Sequence, residues 1–424
     1  MAVFQARVAI GSANPRNSRH RRIRMKHKPL SVRSFRLRNF KAVRDSGVVK
    51  FTPLTVLIGN NGSGKSSLIE GLETFQITAT KGLTEAIERW RGFEFIWNRA
   101  VPHKPKEFPT LDGKTTSYLS NLMRFTLRSQ WIPLMDISVS ASEDMDSVFI
   151  CREETEILER RLGDNVSVPH VTVARDTSPE AFITMGEQKF RKRVWQDDSS
   201  ISNITFTELK DWQFFSLNAE IMGQPHPRNR NRPFQHSTLK KDGSNLADIL
   251  YDFNQGSDFA KQRVQGIVET MRYILPYASD ISPKLATELE RTVHLQLHEG
   301  KFEVPGWLLS TGTLGALALI MALRQPFPPP LICIEEIENG LDPRTLNLLV
   351  DEIQRATQSG RTQVVCTTHS PYFLDLVPLS SIIVVERDAT GQPTFTRPDE
   401  KALGDWAKEF APGQLYTMSQ LTRA

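Results

Sequence analysis

Cysteine is scarce: only Cys151, Cys333 and Cys366 occur in 424 residues, and no pair has C-x-x-C spacing. A disulfide scaffold and a structural zinc site are therefore not expected, and a reducing cytoplasm is the expected location. Cys333 and Cys366 lie inside apolar runs and read as small buried hydrophobes. No apolar run reaches the ~20 residues of a membrane-spanning helix. The longest, Leu314 to Leu323, ends at Arg324. The N-terminus lacks the apolar stretch of a signal peptide, so no membrane is expected as a partner. No internal repeat and no long heptad run occur. Acidic residues are missing from Met1 to Lys28, which holds eight Lys/Arg. That segment reads as a solvated, disordered tail or as a nucleic-acid-binding arm, with Met25 an alternative start.

With 39% hydrophobic residues, the chain can bury a substantial core and form two lobes, or one lobe with a large insertion. Net charge is +5. A second basic stretch holds Arg228, Arg230 and Arg232 between prolines and asparagines, followed by Lys240 and Lys241. Its composition predicts a loop that either contacts DNA or is plainly solvated.

The motifs lie in the better-patterned parts. Residues 30–58 read as strands, and Leu54-Thr55-Val56-Leu57-Ile58 is a buried apolar run that stops at Gly59. Asn60, Asn61, Gly62, Ser63, Gly64, Lys65 and Ser66 then complete the pattern G-x-x-x-x-G-K-S, with Ser67 the next nucleotide-binding residue and a helix expected from Lys65 to about Phe75. Backbone N–H groups of such a loop cradle the β- and γ-phosphates of a nucleotide. Lys65 adds a point charge, and Ser66 is the expected Mg²⁺ ligand.

Leu331 to Ile334 is apolar throughout, as strands of a parallel sheet are, and ends at Glu335-Glu336. Two adjacent carboxylates are too costly for a core, and the carboxyl ends of parallel strands are where functional groups collect. Glu335 is assigned to the Mg²⁺ shell through water, and Glu336 to orienting and deprotonating the attacking water. Asp342-Pro343 starts a helix and Gly360 ends it. Another apolar strand, Gln363 to Cys366, leads to His369, expected on the γ-phosphate and the water. Leu308 to Leu323 reads as one helix, and Ser310 with Gly312 at its start form a second anion site. A second phosphate site beside one P-loop suggests that it serves another subunit's ATP.

Strands alternating with helices imply an α/β core with a mostly parallel sheet. The expected division is a tail at 1–28, the P-loop half at 29–100, an insertion of mixed structure at 101–240, and a helical signature region with the C-terminal half at 241–424. In the insertion, Met135 to Val139 and Val148 to Cys151 look strand-like, with Arg152 to Arg161 a charged separator. Leu246 to Leu275 looks helical.

Together these residues resemble the ABC-type ATPases, in their RecF/SMC/OLD-like branch. The likeness covers roughly residues 30–95 and 240–424 and includes the segment Arg38-Asn39-Phe40-Lys41. It implies an ABC-type P-loop head with an antiparallel N-terminal β region and a helical signature subdomain. Glu336 maps onto the family's catalytic glutamate, Asn339-Gly340-Leu341-Asp342 onto its D-loop, His369 onto its switch histidine, and Ser310 and Gly312 onto its signature. Asp342 is thereby a nucleotide-site residue. Thr311, Ile337 and Asp342 depart from the residues common in relatives, and the Q-loop glutamine falls to Gln76 or Gln130. The short stretch after His369 leaves no room for the Toprim nuclease of OLD proteins. The chain lacks the coiled coil of SMC proteins.

The resemblance implies ATP and Mg²⁺ as cofactors, a second copy of the chain across ATP, and a separate effector encoded nearby. The expected function is an ATPase whose dimerisation gates that effector, such as a nuclease or toxin in phage defence. The alternative is a RecF-like DNA clamp in repair.

Overall fold

The computed structural model describes residues 31–100, 105–109, 115–130, 132–157, 160–162, 166–168, 171–176, 180–185, 188–193, 207–228, 238–286 and 292–421. The basic segment at 1–28, together with Arg230 and Arg232, lies outside them.

The sheet that positions the site has six strands in the order Gln213–Phe215, Leu331–Ile334, Gln363–Thr368, Leu54–Ile58, Ile382–Arg387 and Pro393–Thr396. The first five are parallel, and the last closes an antiparallel hairpin. The register sets Ile334 beside Cys366, and Thr368 beside Ile58. The strand carrying the two acids, the strand before His369 and the P-loop strand are thus neighbours ending at the same edge.

Gln213–Phe215, Leu331–Ile334, Gln363–Thr368 and Leu54–Ile58 are buried along their whole length because both faces are covered. Alternate side chains point to opposite faces. Val56, Ile58, Ile332, Ile334, Val364 and Cys366 face one core, with helices Leu246–Asn254, Asp258–Ile274, Thr311–Arg324 and Pro343–Gln358. Leu57, Leu331, Cys333, Val365, Ile383 and Val385 face the other. That second core holds helix Lys65–Thr80 and a nine-stranded antiparallel sheet, in which Val32–Phe40 pairs with Met123–Ser129, and Met123–Ser129 with Leu134–Ala141. Phe75 of the helix lies edge-on to Phe35 at 5.9 Å and is tilted against Phe125 at 6.4 Å, which ties the P-loop helix to the antiparallel sheet.

Several expected boundaries shift, each for a physical reason. The P-loop helix runs to Thr80, past the expected end near Phe75. The hydroxyls of Thr74, Thr78 and Thr80 bond back to the carbonyls of Glu70, Thr74 and Gln76, so these β-branched residues are satisfied within the helix. Leu246 to Leu275 splits into two helices, and Ser257 caps the second by accepting from Ala260 N–H. The signature helix starts at Thr311, because Gly306–Leu308 is a separate 3₁₀ turn. Arg152 onward is no separator: strand Val148–Ile157 continues through it, with Glu153 and Thr155 turned inward. The expected insertion shares its strands with both sheets. Met123–Ser129 joins the antiparallel sheet, and Gln213–Phe215 forms an edge of the parallel one.

A candidate nucleotide site

Gly59–Ser66 leaves a buried strand and enters a helix within one turn. Gly64, at φ +112, caps that helix with no side chain over its first N–H groups, and a side chain there would meet Pro393. The free donors and the positive helix end suit an anion. Lys65 is 6% exposed, and its Nζ donates to the carbonyls of Gly59 at 2.7 Å and Asn60 at 3.0 Å. Burial lowers the Lys65 pKa, and the charges of Glu336 and Glu338 act against that. Asn60, Asn61 and Gly62 form the exposed loop tip, and Ser67 is buried behind them. Ser63 Oγ is buried with no hydrogen-bond partner among the described residues.

Glu335 and Glu336 follow the neighbouring strand but differ in surroundings. Glu335 is half-buried, and burial raises its pKa; Lys241 and a hydrogen bond with Ser66 pull it down, while Glu70 and Glu73 push it up. Ser66 and Glu335, reached from two strands, therefore lie close together. Glu336 is exposed at φ +49, a left-handed backbone uncommon outside glycine. Its N–H donates to Thr367 Oγ1 at 2.8 Å, so the neighbouring strand pins the turn. Such strain persists where surrounding contacts over-determine it. His369, exposed, follows the same strand as Thr367.

Ser310 caps the signature helix, accepting from Thr313 N–H at 3.1 Å. Gly312 is required by packing: a Cβ there would lie 2.3 Å from the Gly340 carbonyl. The signature turn thus packs on the Asn339–Asp342 turn of its own chain, with Ser310 and Thr311 exposed. Asp342, expected at the nucleotide, uses its carboxylate locally. Oδ1 accepts from Arg344 N–H at 2.9 Å and Thr345 N–H at 3.2 Å, and Oδ2 from the Thr345 hydroxyl.

Three further residues join the site, Glu338 and Arg387, which sequence reasoning missed, and Lys241, which it read only as part of a basic stretch. Glu338 accepts the backbone N–H of His369 through Oε1, while its Oε2 is buried without a partner among the described residues. Its only signal was the third acid of Glu335-Glu336-Ile337-Glu338. Lys241 sits by Glu335 and binds Glu73 at 2.7 Å. Arg387 donates from Nε to the Gly62 carbonyl at 2.8 Å and from Nη1 to Gly391 at 2.6 Å, tying the P-loop to the C-terminal hairpin. Arg387 had no local signal, and the basic stretch that marked Lys241 pointed to DNA rather than to this site. Arg387→Ala is expected to weaken nucleotide affinity about tenfold, the loss of one charge-assisted bond, with turnover at saturating ATP little changed. Titration with a fluorescent nucleotide checks this. Of the Q-loop candidates, Gln76 spends its amide on the Leu209 carbonyl at 2.8 Å, a structural role. Gln130 sits beside Ser31, where its N–H bonds the Ser31 carbonyl at 3.2 Å.

The residues fit a magnesium nucleotide. They combine an uncapped helix N-terminus, a buried lysine bonded to loop carbonyls, and a hydroxyl beside a carboxylate. Buried unpartnered oxygens on Ser63 and Glu338 complete the set. Fold and site together define a compact P-loop ATPase.

Residues 165–375 match the family model AAA_21, described as "AAA domain, putative AbiEii toxin, Type IV TA system". The match takes in the signature, the acidic strand and His369, and begins after the P-loop. A Helicobacter pylori protein named "ATP/GTP phosphatase" is 19% identical over 354 residues, 82% of this chain and 87% of that protein. Among solved structures, the Smc head domain of Pyrococcus furiosus with an extended coiled coil, bound to the C-terminal domain of ScpA, aligns at TM-score 0.49 and 13% identity. It covers 89% of this chain and 99% of that one. The SMC head of Thermotoga maritima aligns at TM-score 0.40 and 12% identity, covering 87% and 99%. No described helix is long and apolar enough to cross a membrane.

Proposed function

We propose that this ATPase works as an ATP-driven dimer whose cycle gates a separate effector, a toxin or nuclease partner in phage defence. The observation that carries the dimer is the signature turn. Ser310 and Thr311 are exposed at a helix N-terminus and packed on their own Asn339–Asp342 turn, so this phosphate-binding end is open to another chain's nucleotide. The toxin–antitoxin description of the matching family supports the effector reading.

In the site, the 60–67 loop binds the phosphates and Lys65 neutralises them. Ser66 and Glu335 would hold Mg²⁺, which when bound offsets the phosphate charge. Glu336 takes the proton of the attacking water and aligns it. His369 stands on the next strand end to hold the water and γ-phosphate, with its backbone fixed by Glu338. Ser310 and Gly312 of a second copy close the site, next to its Asp342 turn.

A DNA clamp of the RecF kind is the second reading. The basic stretch that begins at Arg228 favours it, with the Arg228 guanidinium held over the Tyr251 ring at 4.1 Å. Steady-state ATP hydrolysis with Mg²⁺, with and without double-stranded DNA, separates the two. The effector reading predicts slow turnover unchanged by DNA. Strong, salt-sensitive stimulation by DNA would establish the clamp instead.

A further inference from the structure

At the opposite end of the parallel strands from the nucleotide site lies a cleft of about 320 Å³ lined by Arg263, Arg324, Arg355 and Arg361. One carboxylate, Glu352, faces them. It is bound by Arg324 at 2.7 Å and by Arg355 at 3.2 Å, and Arg324 also donates to the Gly266 carbonyl. Arg324 and Arg355 lie in the last turns of their helices, where a cation also complements the helix dipole. That accounts for two of the four. Arg263 and Arg361 have no carboxylate partner among the described residues; Arg263 rests over the exposed ring of Phe259 at 5.1 Å. The rest of the lining is partly apolar, through Leu323, Pro328 and Ala356.

We propose that this cleft docks an acidic peptide segment of a partner protein, one that presents carboxylates beside an apolar side chain. Charge complementarity argues for an anion, since four guanidinium groups face a single carboxylate already shared by two of them. Size argues for a peptide. The arginines converge on a space that holds a few side chains, whereas duplex DNA is bound by cations spread along its backbone. Guanidinium forks suit carboxylates, and their planar faces pack on apolar and aromatic surface.

The position gives the cleft a use. Helix Thr311–Arg324 begins at Ser310 and ends in the cleft, and helix Pro343–Gln358 begins at Asp342 and ends there too. These helices of 14 and 16 residues connect the signature and Asn339–Asp342 turns directly to the docked segment. A partner held there would feel any movement of those turns. Docking itself does not depend on the ATPase reading.

The test is fluorescence anisotropy of a fluorescein-labelled twelve-residue peptide alternating Glu and Leu, against the full chain and the double variant Arg263→Glu/Arg361→Glu. Both substituted side chains lack a carboxylate partner and lie far from the P-loop, so affinity for a fluorescent ADP serves as the fold check. The expected result is saturable binding to the wild type, at least tenfold weaker in the variant, with ADP affinity equal in both. Equal peptide binding by the two proteins, or none by the wild type, overturns the proposal. So does a DNA duplex that displaces the peptide and itself loses affinity in the variant, because the cleft would then be a nucleic-acid surface. Failure of the ADP titration on the wild type would count against the ATPase reading alone.

Discussion

Lys65→Ala is expected to lose nucleotide binding by at least two orders of magnitude, while the folded state survives. The magnitude follows from removing about two charge-assisted hydrogen bonds to phosphate, each worth roughly 1.5–3 kcal/mol, with a tenfold affinity change for each 1.4 kcal/mol. Survival follows from where the ammonium sits now. Its partners are the carbonyls of Gly59 and Asn60, loop groups at the rim of the site rather than in either core. The stem of the helix is held independently by Leu68, Ile69, Leu72 and Phe75. Calorimetric titration with ATP, beside a thermal melt, reads both quantities. Near-normal ATP affinity in the variant would remove the P-loop assignment.

Glu336→Gln is expected to bind ATP, to lose turnover by about 10²–10⁴-fold, and to accumulate as a dimer in ATP. The substitution keeps the shape of the side chain and removes only its capacity to take a proton. The backbone at φ +49 is anchored through the Glu336 N–H to Thr367 Oγ1, a contact that glutamine retains. The loss therefore reports chemistry, not misfolding. Dimer accumulation follows if hydrolysis is what opens the interface. Single-turnover hydrolysis and light scattering after size exclusion, each with and without ATP, check the two parts. Turnover at the wild-type rate would move the base to another residue, and Glu338 would be the first to test, since its Oε2 is buried and unpartnered.

The part of the fold that the sequence revealed is the part governed by local pattern. Leu54–Ile58, Leu331–Ile334 and Gln363–Thr368 are buried strands built around apolar residues because alternate positions face two separate cores, and each ends where the sheet meets solvent. That made the strand ends, and with them Gly59, Glu335, Glu336 and His369, legible without coordinates. The antiparallel sheet was less legible. Val148–Ile157 carries charge at Arg152, Glu153, Glu154 and Glu156, and Glu153 is turned inward at 2% exposure, so a charge count mistook half a strand for a separator. Two cues were present but misjudged. Gly256-Ser257 marked the break between two helices, and Thr74, Thr78 and Thr80 suggested a helix end that their backbone-bonded hydroxyls do not make. Contacts far apart in sequence had no signal at all. Arg387 reaches Gly62, and Lys241 reaches Glu73, through side-chain placement that only the folded sheet decides.

The central claim is that two chains complete each ATP site, one giving the P-loop and the other Ser310 and Gly312. Mixing two inactive variants tests it most directly: Lys65→Ala, which keeps an intact signature, and Ser310→Arg, which keeps an intact P-loop. Hydrolysis is predicted to reappear on mixing, because a mixed dimer assembles one complete site, and to rise with the fraction of mixed dimer. Turnover that stays at the sum of the two separate variants would contradict the shared site and leave each chain to work alone.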